Sequence, residues 1–320
     1  MKMIVYFVCL LVCQSVRGYA QSQIPKLTMQ GHSDDVMAIA FSADGKTLAS
    51  GSIDKTVILW DTQTGQIKQR FTKHARWVWS LALSSDDATA ASAGYDSEVW
   101  VWDSQTGQPK QQLKPNLSSL AFIEKGKVLV GAEGTSLYTW DTQNWKRDKK
   151  PSAHTEPIYV ITLSGDGNLL ASGDRGGTII IWDIKSWQPM QKIKLQNWIK
   201  SLAFTPDNKR LVIGSAIMNR EGGQIGGEIN IRNLSNQSSV TLIKSAGVIW
   251  SVSVSPNGRL IAGAGRDGKV RIWDSETEKL KATFDGSDKL VSRVVFSPDG
   301  TLLASCGTGG IKLWEMNGLY

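Results

Sequence analysis

Residues 48–61 read LASGSIDKTVILWD, and the last two, Trp60-Asp61, mark a place that returns along the whole chain. The later occupants of that place are Trp102-Asp103, Trp140-Asp141, Trp182-Asp183, Arg232-Asn233, Trp273-Asp274 and Trp314-Glu315. Successive occupants are 42, 38, 42, 50, 41 and 41 residues apart. Units of this length, repeated seven times, predict one repeat domain rather than two unrelated domains.

Each unit contains three short apolar runs separated by turns rich in Gly, Asp and Pro. In the first unit these runs are VMAIAFS (36–42), TLASGS (47–52) and VILWD (57–61). Alternation of apolar and polar residues over such lengths is typical of β-strands. No window of useful length has the helical period, so the sequence predicts an all-β fold.

Seven Trp-Asp places in register with turns such as Gly31-His32 resemble the WD-repeat family over residues 26–320. The resemblance implies a seven-bladed β-propeller, in which each blade is a four-stranded antiparallel sheet beside a central channel. The last unit supplies only three strands. We therefore expect residues 26–30, KLTMQ, to close the ring as its fourth strand, because open sheet edges aggregate.

The first 20 residues have the layout of a secretory signal peptide. Lys2 precedes an apolar run over residues 3–13, and Gly18 and Ala20 place small residues before a cut at Gln21. An uncleaved anchor or a buried strand is the alternative. We expect residues 21–320 to form a single propeller that is secreted or periplasmic, similar to a bacterial-type exported member of the family. Its one remaining cysteine is Cys306.

The composition argues against several classes of partner. The formal net charge is +7, and +5 without Lys2 and Arg17, but the lysines are spread over all repeats. Nucleic-acid binding would need them gathered in a stripe. An apolar run of eleven residues is too short to span a bilayer, so no stable membrane insertion is expected. We also expect a monomer with no cofactor.

The resemblance implies a structural hydrogen-bonded network of His, Ser, Asp and Trp in each complete unit. The matching residues are His32, Ser50, Asp54 and Trp60, then His74, Ser92, Asp96 and Trp102. Unit four has Gly176 where the aspartate belongs, and units three, five and seven have largely lost the pattern, so looser blades are expected there. The three histidines repeat one position in separate units, so neither catalysis nor metal binding is expected of them.

Function is therefore expected on an exposed face of the ring. In the family, the start of the inner strand and the residue before the turn aspartate often contact partners. Aromatic and basic residues fill these places, and such residues dominate binding hot spots. The candidate partner-binding residues are Trp77, Trp79, Tyr95, Tyr159, Arg175, Trp198, Lys200, Trp250 and Arg266.

These residues favour a non-catalytic scaffold that binds a protein or peptide on this face. The alternative is a propeller that binds carbohydrate or a cell-envelope glycan, since the same rings stack on sugars. An enzyme at the channel mouth is the third hypothesis, with Asp35 and Glu133 as its only candidate acids. An insertion over residues 218–228 either caps the channel or forms a flexible loop.

Overall fold

The computed structural model describes residues 24–219, 221–245 and 247–320, so the expected signal segment lies outside the described residues. The described chain forms seven antiparallel sheets of four strands each. One short 3-10 turn, Glu124–Gly126, is the helical structure in these ranges. The prediction of an all-β, seven-bladed propeller is confirmed.

The first four blades follow one another along the chain. Blade one contains β2 (Val36–Phe41), β3 (Thr47–Ser52), β4 (Val57–Asp61) and β5 (Ile67–Phe71). Blade two contains β6 (Val78–Leu83), β7 (Thr89–Gly94), β8 (Val99–Asp103) and β9 (Pro109–Leu113). Blade three contains β10 (Ser119–Ile123), β11 (Val128–Glu133), β12 (Ser136–Asp141) and β13 (Arg147–Lys149). Blade four contains β14 (Ile158–Leu163), β15 (Leu169–Asp174), β16 (Thr178–Asp183) and β17 (Pro189–Lys194).

The remaining blades complete the circle. Blade five contains β18 (Trp198–Phe204), β19 (Arg210–Met218), β20 (Gln224–Asn233) and β21 (Ser239–Ser245). Blade six contains β22 (Ile249–Val254), β23 (Leu260–Gly265), β24 (Lys269–Asp274) and β25 (Leu280–Asp285). Blade seven contains β26 (Val291–Phe296), β27 (Leu302–Gly307), β28 (Gly310–Glu315) and β1 (Leu27–Met29).

The N-terminal strand closes the ring, as the sequence predicts. β1 pairs antiparallel with β28, with Leu27 opposite Leu313 and Met29 opposite Ile311. Lys26 extends the pairing, since its backbone N–H donates to the Leu313 carbonyl at 2.7 Å. The first and last inner strands, β2 and β26, are also in contact. The edge that blade seven would otherwise expose is therefore covered.

The core lies between the blades. Each of seven buried apolar clusters joins one blade to the next, so every interface around the ring has its own cluster. Val57 and Phe71 of blade one, for example, pack with Val78 and Trp102 of blade two. Because side chains alternate between the faces of a strand, one apolar pattern can serve the interfaces on both sides of a blade.

The Asp of each Trp-Asp pair organises the turn that follows it. Asp61 accepts a hydrogen bond from the backbone N–H of Thr64 at 2.8 Å. Asn233 of blade five accepts the corresponding bond from Asn236 at 3.2 Å. A short polar side chain that captures a backbone N–H a few residues ahead is a recurrent turn motif. Asn233 thus preserves the turn although the Trp-Asp pair is lost there.

Strand direction defines two faces of the ring. Val36, at the start of β2, lies opposite Ser52 at the end of β3, so the inner strands begin where the second strands end. We call this side the top face. The Trp-Asp turns lie at the opposite ends of the strands, on the bottom face. The candidate residues of the inner-strand starts and of the turns after the second strands therefore share the top face.

The insertion in blade five is a strand extension. β19 and β20 continue their pairing to Met218 opposite Gln224, which makes these strands longer than those of the other blades. Near the tip, the Asn219 side chain accepts a hydrogen bond from the Gly223 N–H at 2.6 Å. Most of the extra residues are thus in a paired hairpin at the top face, and the expectation of a flexible loop is wrong for them.

Candidate functional site

The repeated polar residues of blade one form one hydrogen-bonded chain. His32 Nδ1 lies 2.9 Å from Asp54 Oδ2, and His32 Nε2 lies 2.7 Å from Ser50 Oγ. The Trp60 indole N–H donates to Ser50 Oγ at 2.7 Å. The serine hydroxyl therefore accepts from the indole while it donates to the imidazole. The chain satisfies polar groups that would be costly to bury alone.

Blade two lacks the last link of this chain. His74 lies 3.0 Å from Asp96 and 2.8 Å from Ser92. The buried indole nitrogen of Trp102, however, has no hydrogen-bond partner within the described ranges. The Trp102 ring stacks on Phe71 at a centroid distance of 5.2 Å. The expectation of a complete network in blade two is wrong in this link, where ring stacking replaces the hydrogen bond.

Blade four has a complete network built with a different acid. His154 lies 2.7 Å from Asp174 and 2.7 Å from Ser172, and Trp182 donates to Ser172 at 2.8 Å. Asp174 stands at the end of β15 and is fully buried. The expectation that Gly176 leaves this blade without its acid is therefore wrong. When blades one and four are aligned, Asp174 takes the place of Ser52. This replacement is the feature of the sequence that could have revealed the acid of blade four.

The reduced units also retain part of the pattern. In blade seven the Trp314 indole N–H donates to Ser305 Oγ at 2.9 Å, although no histidine is present. In blade three Arg147 lies over the ring of Tyr138, with 3.8 Å between the guanidinium carbon and the ring centroid. Blade interiors therefore remain bonded or stacked where the full network is lost.

The Ser-His-Asp groups resemble a hydrolase triad in composition, but their surroundings do not fit catalysis. Ser50, Ser92 and Ser172 are 0 % exposed, so no substrate can reach their hydroxyl groups. Burial lowers the pKa of His32, His74 and His154, against the opposing effect of the adjoining aspartates. The imidazoles are therefore neutral links in the sheet interior.

The two acids considered for an enzyme at the channel mouth are engaged in different places. Asp35 accepts a hydrogen bond from the Thr308 hydroxyl of blade seven at 3.1 Å. Glu133 bonds to Arg147 of its own blade and accepts from the Asn116 N–H at 3.2 Å. In the described part of the chain, no group of three or more His, Cys, Asp or Glu residues could hold a metal ion.

The inner strands have a shared irregularity near their top ends. In six of the seven inner strands the pairing register shifts by one residue. The extra residue stands at the strand start, the place that often contacts partners in the family. These residues are Met37, Trp79, Tyr159, Lys200, Trp250 and Ser292. A bulge bends the strand and re-aims a side chain. These six side chains therefore share one structural position, at a strand bulge near the top end of the channel.

Three candidate residues form what we call the blade-two patch: Trp77, Trp79 and Tyr95. Tyr95 packs against Trp79 at a centroid distance of 4.7 Å and against Trp77 at 5.8 Å. Trp77 is 49 % exposed and Tyr95 is 54 % exposed. Trp79 is half-buried, and its indole N–H donates to the Leu117 carbonyl of blade three at 2.8 Å. Trp79 therefore also holds two blades together.

A groove of about 380 Å³ adjoins the blade-two patch. Its lining residues are Lys55, Ala75, Arg76, Trp77 and Tyr95. Two exposed aromatic rings beside two basic side chains give the groove apolar walls and a positive rim. Rings of this kind supply large contact areas at low entropic cost, and they are frequent anchors at protein interfaces.

A second group, the lysine cluster, comprises Tyr159, Arg175, Trp198, Lys200, Trp250 and Arg293. The Lys200 ammonium lies 3.3 Å from the Trp198 ring centroid and 4.4 Å from those of Tyr159 and Trp250. Arg175 covers Trp198 at 4.9 Å. The inner strands of blades four, five and six thus meet at one ammonium group. Arg293, from blade seven, is a member that the sequence reasoning missed.

Lys200 is 1 % exposed, so the expectation that its side chain lies open at the top face is wrong. No residue that the structure describes forms a hydrogen bond or ion pair with its ammonium group, which is held by three ring faces. Burial, together with the smaller effect of the positive charges of Arg175 and Arg293, lowers the pKa of Lys200 to about 7. Cation–π attraction offsets part of this cost.

Two indole groups of the lysine cluster also lack acceptors. The nitrogens of Trp198 and Trp250 are buried and have no hydrogen-bond partner within the described ranges. Buried donors are bonded in most native structures, so each exception calls for an explanation. Arg266 is exposed at the top face, where its backbone N–H donates to the Val248 carbonyl at 3.0 Å. Arg266 is not among the residues that form the blade-two patch or the lysine cluster.

The bottom face carries a cavity that the sequence reasoning did not find. It measures about 760 Å³ and lies at the turns of blades five and six. Asp207, Arg210 and Glu276 are among its lining residues. Arg210 already donates to the Ser275 carbonyl at 2.7 Å, which links the two blades. The charged residues that line this cavity lie in turns whose sequences resemble the other polar turns, so the sequence did not indicate a cavity there.

Comparison with known proteins agrees with this architecture. The family profile described as "WD domain, G-beta repeat" matches residues 23–61, 65–103, 145–183, 237–274 and 278–315, more than half of the chain. The chain belongs to the WD40 repeat family. Apart from their outer strands β13 and β21, blades three and five, whose repeat residues depart most from the pattern, fall between the ranges matched by the WD40 profile.

Curated relatives of this WD40 chain are similar at low identity. The nuclear distribution protein nudF of Aspergillus niger is 23 % identical over 91 % of the chain and 61 % of its own length. WD repeat-containing protein 1 of Xenopus tropicalis is 25 % identical over 64 % of the chain and 43 % of its own length. Cross-pathway control WD-repeat protein 2 of Flammulina velutipes is 29 % identical over 82 % of the chain and 86 % of its own length.

The WD40 chain thus spans about half the length of the first two relatives. These relatives are eukaryotic proteins, so they give no support to the expectation of a bacterial-type exported member. Within the described ranges, the structure contains no helix that could span a bilayer.

Proposed function

We propose that this chain is a non-catalytic scaffold that binds a protein or peptide partner on its top face. The exposed pair Trp77 and Tyr95 beside a groove of about 380 Å³ is the observation that carries the proposal. The two ring planes are tilted by 48°. Tilted rings make a corner that fits an apolar side chain, whereas flat platforms suit sugar rings, so a peptide is favoured over a glycan.

Membership of the WD40 family supports a scaffold, because the repeated residues are used in holding the blades together. The Ser-His-Asp groups are buried inside blades, and Asp35 and Glu133 bond to different parts of the ring. The surfaces that remain free for function are the faces of the ring. The top face is favoured because it combines exposed aromatic rings with buried donors that lack acceptors.

Export is a separate proposal that stems from the sequence alone. The apolar run over residues 3–13 and the small residues Gly18 and Ala20 support a cleaved signal peptide. The partner would then be met outside the cytoplasm. Sequencing the N-terminus of the protein purified from its native source tests this: a chain that begins at Gln21 supports export, and one that begins at Met1 contradicts it.

Selection of peptides tests the binding function directly. A random dodecapeptide library is panned on the immobilised full chain, and the dissociation constants of the enriched peptides are measured. The variants Trp77→Ala and Tyr95→Ala should each weaken binding about tenfold or more, because loss of a central aromatic anchor commonly costs at least 1–2 kcal/mol. Trp79 is unsuited to this test, since its bond to Leu117 gives it a structural role.

The matched control is Met190→Ala, which removes a comparably exposed apolar side chain from the outer strand β17. Its dissociation constants should stay within about twofold of those of the parent. Equal losses in all three variants, or peptides that bind regardless of Trp77 and Tyr95, would contradict the proposal. A glycan array probed with the same variants tests the carbohydrate alternative.

A further inference from the structure

The lysine cluster contains buried hydrogen-bond donors without matching acceptors. The indole N–H groups of Trp198 and Trp250 are buried and lack a bonded acceptor among the described residues, and the Lys200 ammonium between them contacts ring faces. They belong to one site, because Lys200 Nζ lies within 4.4 Å of both indole rings. We propose that this cluster binds an Asp or Glu carboxylate of the protein partner, an inference that rests on the top-face function proposed above.

Charge identifies the ligand as an anion. Lys200, Arg175 and Arg293 bring three basic groups together, and the lowered pKa of Lys200 reflects burial first and the two guanidinium charges second. The other titratable group against Lys200 is Tyr159, whose pKa burial raises, so it is neutral. Among described residues no carboxylate bonds to Lys200. An incoming carboxylate would supply both the missing charge and the missing acceptor atoms.

The aromatic rings do not form an open cage for a cationic ligand. Tyr159, Trp198 and Trp250 surround a space of the kind that binds ammonium groups, but Lys200 of the same chain already fills it. A lysine from a partner would have to displace Lys200 while facing Arg175 and Arg293. Both the occupied rings and the local charge therefore exclude a basic anchor and favour an acidic one.

Arg175 covers one side of the lysine cluster. Its side chain is exposed in the turn after β15, and its guanidinium lies over the ring of Trp198. Arg293, in contrast, is tied down, since it donates to the carbonyls of Trp250 and Ser292 at 3.3 and 3.2 Å. A carboxylate that approaches the cluster beside Trp198 would meet the exposed Arg175 guanidinium, which can then contact it.

Binding of the carboxylate is coupled to the protonation of Lys200. The free ammonium has a pKa of about 7, so much of it is neutral in slightly alkaline solution. A bonded carboxylate stabilises the charged form and raises this pKa. The complex therefore takes up a proton above pH 7, and the association constant should fall by up to about tenfold per pH unit there.

Titration calorimetry with defined peptides tests the proposal. The probes are a capped decapeptide of glutamate and the matched decapeptide of glutamine, each added to the full chain at 150 mM salt. We expect the glutamate peptide to bind about tenfold more tightly or better. Lys200→Met should remove that preference, while Lys185→Met, at an exposed lysine of the bottom face, should keep it within about twofold. The melting temperature shows that each variant is folded.

The pH dependence of the parent protein gives a reading that needs no variant. Affinity for the glutamate peptide should fall between pH 7 and 8.5, with proton uptake seen as a dependence of the heat on the buffer. Equal binding of both peptides, with both weakened by Trp77→Ala, would overturn the carboxylate site and leave the scaffold function standing. Absence of binding by either peptide, or an equal loss of the preference in Lys185→Met and Lys200→Met, would also overturn it.

Discussion

The carboxylate of Asp174 lies 2.7 Å from the imidazole of His154, two residues before the place where blades one and two carry this acid. Asp174 Oδ1 also accepts the Thr178 N–H at 2.7 Å. One buried carboxylate therefore satisfies both a histidine and a turn. The same hydrogen-bonded network can thus be built from the end of a strand or from the turn that follows it.

Asp174→Asn should destabilise the propeller by about 1–3 kcal/mol, because the amide replaces a buried charged acceptor of two hydrogen bonds. Chemical denaturation monitored by tryptophan fluorescence measures the change. Asp267→Asn is the control, since Asp267 is exposed and blade six has no histidine. The control should cost no more than about 0.5 kcal/mol. Similar losses in both variants would mean that the Asp174 network adds no stability.

Trp60 and Trp102 form a natural pair for testing the indole link. Trp60→Phe removes a hydrogen bond of 2.7 Å to Ser50, whereas Trp102 has no such bond to lose. Both indoles are almost fully buried, so the two replacements remove similar apolar area. We expect Trp60→Phe to cost about 1 kcal/mol more than Trp102→Phe. Equal costs, measured by the same denaturation assay, would show that the Trp60 bond contributes little.

Lys200 should make the stability of the propeller depend on pH in the alkaline range. Its pKa is about 7 in the folded protein and returns to 10.5 on unfolding. Between these values the unfolded chain binds more protons, so the free energy of unfolding rises with pH, by at most about 1.4 kcal/mol per unit. Lys200→Met should abolish this rise and be more stable than the parent at pH 7. A stability difference between them that stays constant from pH 7 to 10 would contradict the burial of the charge.

Closure by β1 should control the stability of the whole ring. Met29→Ala removes a side chain that is 2 % exposed at the interface of blades seven and one, and such truncations cost about 2–5 kcal/mol. Unfolding should remain a single transition, because every blade is held between two neighbours. Thr28→Ser, at an exposed position of the same strand, is the control and should leave the melting temperature nearly unchanged. A Met29→Ala variant that melts at the temperature of the parent would contradict closure of the ring by β1.

The repeat pattern made the fold predictable, since Trp-Asp spacing and alternation are local signals. Even the closing strand followed from counting strands in blade seven. The lysine cluster could not be predicted in the same way, because Tyr159, Lys200 and Trp250 come from three blades and meet only in the closed ring. Asp174 was missed because the acid moved by two residues. The insertion is paired because β19 and β20 stay in register up to Met218 and Gln224. The composition of the segment does not reveal this pairing.

Amide hydrogen exchange of the full chain, with and without a saturating peptide from the selection, tests the central claim most directly. Binding at the top face should slow exchange in residues 75–79, 95–98 and 175–178, with the bottom-face turns 207–210 and 257–259 unchanged. Those two turns contain lining residues of the bottom cavity. Protection confined to these bottom turns, with none at Trp77 or Tyr95, would contradict the account.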